Sequence, residues 1–314
     1  MTAVVEVENL TKHYGAVAAV DGISFSVQRG EIFGILGPNG AGKTTTVEAI
    51  EGLRRPDAGR ISVLGLDPYT DGGQLRQRVG VQLQEGRLPD KIKVWEALDL
   101  YASFYANPAP WPDLLAQLGL GDKRDARFGS LSGGQKQRLS IALALIGSPE
   151  VAILDELTTG LDPHARRETW DLVEAVRGRG VTILLVTHFM DEAERLADRI
   201  AIIDEGKVVA IDTPAGLVAR VSSEQRIRFR ASGPFDVKRL TELPEVTDVS
   251  TAGSQVVVAG TGNLLAAVVG SLDRQGVVPG DLRVEQTSLD DAFVALTGRR
   301  LDPDGAPVSS AASS

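Results

Sequence analysis

The chain contains no cysteine, which excludes disulfides and thiolate metal sites and leaves a reducing compartment open to it. It has no apolar run near the ~20 residues that a membrane-crossing helix requires; stretches such as IALALI at 141–146 and VTILLV at 181–186 fall far short. Its N-terminus, MTAVVEVENL, carries acidic residues where a secretory signal is basic, so the protein is expected to stay in the cytoplasm. Basic residues are outnumbered, 33 Lys and Arg against 42 Asp and Glu, and they form no stripe. The formal net charge of -9 argues against a nucleic-acid binder, which needs clustered cations to displace counterions from phosphates. No internal repeat is visible. What remains is an ordinary globular composition, 43% hydrophobic and 24% charged, in 314 residues, a length that suits two domains.

From residue 3 to about 220, short β-branched runs alternate with amphipathic helical patterns. EIFGILG (31–37), VAILDE (151–156) and VTILLVTH (181–188) each lead through a turn into a helix, which predicts a mostly parallel sheet covered on both faces. VVEVENL, GISFSV, RISVLG, RIAIIDEG and KVVAIDT alternate or end in turn residues and predict an added antiparallel layer. The stretch at about 85–146 reads as a helical insert, with Val94, Leu98, Tyr101 and Tyr105 at helical spacing. Residues 221–298 read as a small α+β domain. Its last helix is marked by a Ser288/Asp291 capping box, an apolar face of Leu289, Ala292, Phe293 and Leu296, and a Gly298 stop. Residues 299–314 are small, polar and proline-containing, a composition expected to be disordered.

Three motifs carry chemistry. GPNGAGKT at 37–44 fits the phosphate loop G-x-x-x-x-G-K-[ST] and lies between an apolar strand and a helix. Gly37, Pro38, Asn39, Gly40, Ala41, Gly42, Lys43, Thr44 and the following Thr45 are therefore candidates to bind a nucleotide. The backbone N–H groups and helix dipole would face the phosphates, Lys43 would reach the β- and γ-phosphates, and Thr44 would ligate Mg²⁺. VAILDE ends a buried strand with two carboxylates where ligand crevices form; Asp155 is a candidate for Mg²⁺ and Glu156 for the base that polarises attacking water. SLSGGQKQR at 130–138 opens an apolar helix. By itself it fits a capped core helix with Ser132 at the N-cap.

The order and spacing of these motifs resemble those of the ABC ATPases, over about residues 3–220. The resemblance implies a P-loop NTPase fold and ATP with Mg²⁺ as the bound species. It makes Tyr14 in LTKHYG the adenine platform, and Gln84 in GVQLQEG the glutamine that senses Mg²⁺ and couples to the insert. SLSGGQKQR becomes the signature, with Ser132, Gly133, Gly134 and Gln135 facing the partner's nucleotide. Gly160, Leu161 and Asp162 in TTGLD form the loop that crosses to the partner, and His188 is the γ-phosphate switch. TSLDDAFVALTGR and THFMDEAERLAD further resemble ATPase subunits of the daunorubicin-resistance type of exporter. That implies a homodimer docked on separate membrane-spanning permease subunits through the insert, at the inner face of the cell membrane, exporting a drug-like or hydrophobic compound.

The alternative is a soluble ABC ATPase not linked to transport. Translation factors of this family usually carry two ATPase domains and repair members a long coiled coil, and neither is visible in this sequence. A regulatory subunit that binds ATP without hydrolysing it is disfavoured by the presence of Glu156 and His188. Leu157 departs from the family pattern, which has proline there. Proline would steer Glu156 toward extended backbone; leucine removes that restraint and no reacting group, so restoring proline is expected to change turnover modestly.

Overall fold

The structure, a computed structural model, describes residues 2–82, 88–221, 225–233, 235–285, 287–301 and 307–309. The chain divides into two compact units, Met1–Pro214 with Arg299–Ser314, and Ala215–Gly298. The first runs β1 (Ala3–Tyr14), β2 (Val17–Gln28), β3 (Ile32–Leu36), α1 (Lys43–Ile50), β4 (Ala58–Val63), α2 (Gly72–Leu75), β5 (Val79–Gln82), α3 (Val94–Ala102), α4 (Trp111–Gln117), α5 (Gly133–Leu145), β6 (Val151–Asp155), α6 (Pro163–Arg177), β7 (Thr182–Thr187), α7 (Met190–Leu196), β8 (Arg199–Asp204) and β9 (Lys207–Asp212).

Six strands form one sheet in the order β5-β6-β7-β3-β8-β9, parallel except for β9. Every residue of β3, β6 and β7 is buried, the pattern of strands covered on both faces. Successive side chains point to opposite faces, so each strand feeds two cores. Phe33, Ile35, Ile153 and Val186 join α1 and the antiparallel sheet β2-β1-β4 on one side. Ile32, Ala152, Leu154 and Leu185 join the insert helices and α6 on the other. RIAIIDEG, expected in the antiparallel layer, is instead β8, buried in the main sheet and parallel to β3; KVVAIDT pairs with it as the antiparallel edge. The turn residues after β8 make a hairpin to β9, and a hairpin does not fix the direction of a strand's other neighbour.

The second unit starts at Ala215, within α8 (Pro214–Val221), a few residues before the break expected at 220–221. Then follow β10 (Gln225–Ala231), α9 (Lys238–Thr241), β11 (Val246–Ala252), β12 (Gln255–Gly260), α10 (Leu264–Arg274), β13 (Pro279–Glu285) and α11 (Leu289–Thr297). This is a βαββαβ order with an antiparallel sheet β11-β12-β10-β13. Ile227 and Phe229 of β10 pack with Leu264, Val268 and Leu272 of α10. Ser288 and Asp291 cap α11 reciprocally, and Gly298, at φ 73°, ends it. Two stretches of the segment expected to be disordered, β14 (Arg299–Leu301) and β15 (Pro307–Ser309), pair antiparallel. Arg299 also reaches Asp204 at 3.9 Å and bonds Glu205, attachments that composition alone does not reveal.

Candidate active site

The loop between β3 and α1 has little freedom. A Cβ on Gly37 would stand 2.1 Å from the Ile203 carbonyl oxygen, and one on Gly42, at φ 100°, 2.2 Å from that of Ala19. Only glycine allows so close an approach of backbone to backbone. The Gly206 N–H bonds the Ala41 carbonyl at 3.0 Å, and the Thr46 hydroxyl bonds Gly42 O at 2.8 Å, so the loop is fixed from behind and at the helix start. Buried Lys43 donates from Nζ to the carbonyls of Gly37 and Pro38 at 2.8 and 2.9 Å. Burial lowers its pKa, opposed by the nearby carboxylates of Glu156 and Asp155. Asn39, Gly40, Gly42, Lys43, Thr44 and Thr45 all line a cavity of about 790 Å³, large enough for a nucleotide. Ala41 is buried beneath the loop.

Across the cavity, β6 ends at Asp155, whose N–H donates to Gln82 Oε1 at 3.1 Å. Burial first, and then the Glu156 charge, push the Asp155 pKa up to about 6. Burial and the Asp155 charge likewise push Glu51, at the end of α1, up to about 8. Asp155 and Glu156 thus share one buried ammonium with a further carboxyl, Glu51, close by, an arrangement that further positive charge stabilises. Asp155 and the exposed Thr44 supply hard oxygen donors, which fits Mg²⁺ held largely by water and phosphate oxygens rather than by a protein cage. Among the described residues no group of three or more His, Asp or Glu forms such a cage. Gln84, the remaining candidate ligand, lies outside the described residues.

Glu156 adopts φ 47°, and its N–H bonds Val186 O on β7 at 2.9 Å. His188, one residue past β7, brings Nδ1 to 3.2 Å from Glu156 Oε1. Both side chains line the cavity with Thr159, Gly160 and Leu161. A carboxylate oriented by an imidazole, lining the same cavity as a phosphate loop, can accept a proton from water.

The remaining sequence candidates lie elsewhere. Ser132 caps α5: its hydroxyl accepts from Gln135 N at 3.3 Å, and its own N–H donates to Gln135 Oε1 at 3.0 Å. None of Ser132, Gly133, Gly134 and Gln135 lines the cavity. Cβ positions on Gly133 and Gly134 would lie 3.6 Å from Leu161 and 3.2 Å from Ala165, so these glycines sit beside the loop leading into α6. Asp162 caps α6 by accepting from His164 N at 2.9 Å and Ala165 N at 3.1 Å, and these bonds hold its pKa down. Tyr14, 44% exposed at the end of β1, stacks under the Arg54 guanidinium at 5.4 Å and does not line the cavity. Sequence reasoning missed Arg166 and Phe189, which do line it, with the guanidinium 4.7 Å from the ring centre. Their only signal was adjacency to TTGLD and to His188.

The ABC transporter family pattern matches residues 20–159. Nod factor export ATP-binding protein I of Burkholderia orbicola (strain AU 1054) is 39% identical over 306 residues, spanning 95% of this chain and 98% of that protein. This chain belongs to the ABC transporter ATP-binding proteins. A solved ATP binding subunit of an ABC transporter has 30% identity and a TM-score of 0.63, covering 70% of this chain and 93% of that one. A dimeric bacterial ABC transporter cassette has 25% identity and a TM-score of 0.59, covering 67% and 98%. The protein is an ABC ATPase, an enzyme that binds and hydrolyses ATP.

In this ABC ATPase Leu157 is more than a missing proline. Its side chain is fully buried in the core beneath the insert helices, and the residue before it holds a left-handed backbone, which a following proline disfavours. Leu157→Pro should therefore cost stability, in addition to the modest turnover change expected from the motif. It should cost about 2–5 kcal/mol, the range for emptying a buried leucine site. Denaturant unfolding with ATP absent measures it, and an unchanged midpoint would contradict the packing argument.

Proposed function

We propose that this chain is the ATPase subunit of an exporter of the daunorubicin-resistance type. Two copies close on ATP, and separate membrane-spanning permease subunits dock on the insert. The cargo proposed is a drug-like or hydrophobic compound, and the subunit works at the inner face of the membrane. Among the described residues no helix is long and apolar enough to cross a membrane, so the pathway would belong to other chains. The export assignment draws on the relative named for Nod factor export. The observation that carries the dimer is the signature's position: Ser132–Gln135 stay outside the chain's own cavity, while Leu161 beside them lines it. A loop that caps its own helix and abuts the cavity's rim supports the reading that it meets the nucleotide of a second copy.

Within each site the proposed division of labour combines the motif resemblance with the contacts of the phosphate loop and of Glu156 and His188. Lys43 transfers its N–H bonds from the Gly37 and Pro38 carbonyls to the β- and γ-phosphates, so the loop holds the ammonium ready before ATP arrives. Tyr14 offers its exposed ring to adenine. Thr44, Asp155 and Gln84 would hold Mg²⁺, which when bound neutralises phosphate charge. Glu156 takes a proton from water at its carboxylate as the water oxygen bonds to the γ-phosphorus and the bond to the bridging oxygen breaks. His188 orients that carboxylate through the 3.2 Å contact and faces the γ-phosphate.

Co-expression with a membrane protein of about six helices encoded beside it tests the assignment. Co-purification from detergent extracts supports the exporter reading, and a chain that stays wholly unassociated with membranes contradicts it. Deleting 225–314 should leave measurable ATPase activity, because every nucleotide motif precedes the cut, and should weaken dimerisation or docking. Complete loss of activity in a truncation with a native circular-dichroism spectrum would oppose this division.

A further inference from the structure

Glu192 stands on α7, four residues past His188. It is fully buried, and the scheme above does not use it. A carboxyl without water needs partners. Trp170 of α6 donates from Nε1 to its Oε1 at 3.2 Å. Its Oε2 and the equally buried Thr158 Oγ1, two residues beyond Glu156, meet no partner at ordinary hydrogen-bond geometry, although the Thr158 side chain lies close enough to act on the carboxyl. Thr187 and Thr158 both turn their hydroxyls to this carboxyl, and Thr187 Oγ1 in turn accepts from Phe189 N at 3.0 Å.

The charged neighbour of Glu192 is another carboxylate, Asp191, and the nearby cation Arg166 is paired with Asp191 at 3.2 Å. Burial raises the Glu192 pKa, against the Thr187 and Thr158 hydroxyls and the Trp170 N–H, which lower it, with Asp191 adding to the rise. Its neutral form carries an O–H that can be given to Thr158 Oγ1, which would partner both orphaned oxygens at once. The same carboxyl then touches the turn that carries Glu156, the strand end that carries His188, and α6.

We propose that Glu192 is a positioning residue for hydrolysis. Its carboxyl ties the Glu156–Thr158 turn to the end of β7 and so keeps Glu156 and His188 in register. This rests on the roles proposed above for Glu156 and His188. If those roles are wrong, Glu156→Gln turns over normally; if only the present inference is wrong, Glu156→Gln is impaired while Glu192 variants are not.

The test measures steady-state ATPase kinetics of the full chain for Glu192→Ala, Glu192→Gln and Thr158→Val. Losing register by a fraction of an ångström to an ångström should lower kcat of Glu192→Ala about 10- to 100-fold with KM nearly unchanged. Glu192→Gln, which keeps a donor and an acceptor, should recover most of that loss. Thr158→Val, which keeps the volume and drops the hydroxyl, should lower kcat in the same sense with KM unchanged. If Glu192→Ala fails to fold, the other two variants decide. Wild-type kcat in Thr158→Val, a Gln variant as impaired as Ala, or equal changes in KM and kcat would overturn the proposal.

Discussion

Glu156→Gln is expected to lower ATP turnover by about 10²- to 10⁴-fold, the contribution of a positioned general base, while ATP binding persists. The amide has the shape of the carboxylate and can still meet His188 Nδ1, which lies 3.2 Å from Glu156 Oε1. What it cannot do is accept the proton that attacking water must lose. The substitution also removes one negative charge from a pocket where Asp155 and Glu156 already repel each other, which eases the approach of anionic phosphates, although it withdraws the support that Glu156 gives to the Lys43 ammonium. An ATP-bound dimer should accumulate, visible as an earlier peak on size exclusion with ATP and Mg²⁺. A variant that elutes as a monomer and turns over normally would assign the base to another residue.

The cavity's floor was legible because its determinants are local. Gly37 and Gly42 must be glycine wherever backbone closes on a carbonyl at about 2 Å from a would-be Cβ, and a strand, a glycine loop and a helix in sequence announce such a closure. Asp155 and Glu156 were legible because charges ending an apolar strand have few other uses. Arg166 and Phe189 were not, since their place on the rim follows from how α6 and α7 pack, which no short spacing encodes. The burial of Leu157 was not legible for the opposite reason: the family pattern directs attention to the proline that is absent, and the packing of the leucine that is present depends on the insert helices. The direction of β8 was hidden in the same way. Its turn to β9 is local, but its parallel ladder with β3 joins residues more than 160 positions apart.

A mixed dimer of Ser132→Arg and Lys43→Ala should regain ATPase activity that neither homodimer has. Lys43→Ala alone should abolish ATP binding and hydrolysis, because the buried ammonium that already bonds two loop carbonyls is the group that neutralises the β- and γ-phosphates. Ser132→Arg acts differently. Ser132 is exposed and bonds only within its own helix start, so losing the cap should cost about 0.5–2 kcal/mol of stability, too little to unfold an ABC ATPase domain of this size. If the serine were only a cap, both defects would stay within their own subunits and mixing would restore nothing. If it faces the neighbour's γ-phosphate, both defects fall in one composite site, and the other site pairs an intact phosphate loop with an intact signature. Two affinity tags isolate the mixed species, and both ATPase rate and ATP-dependent pairing are measured. Activity returns if one intact site suffices; pairing alone returns if the two sites must fire together. Neither rising above the parent homodimers would remove the basis for placing this signature on the partner's nucleotide.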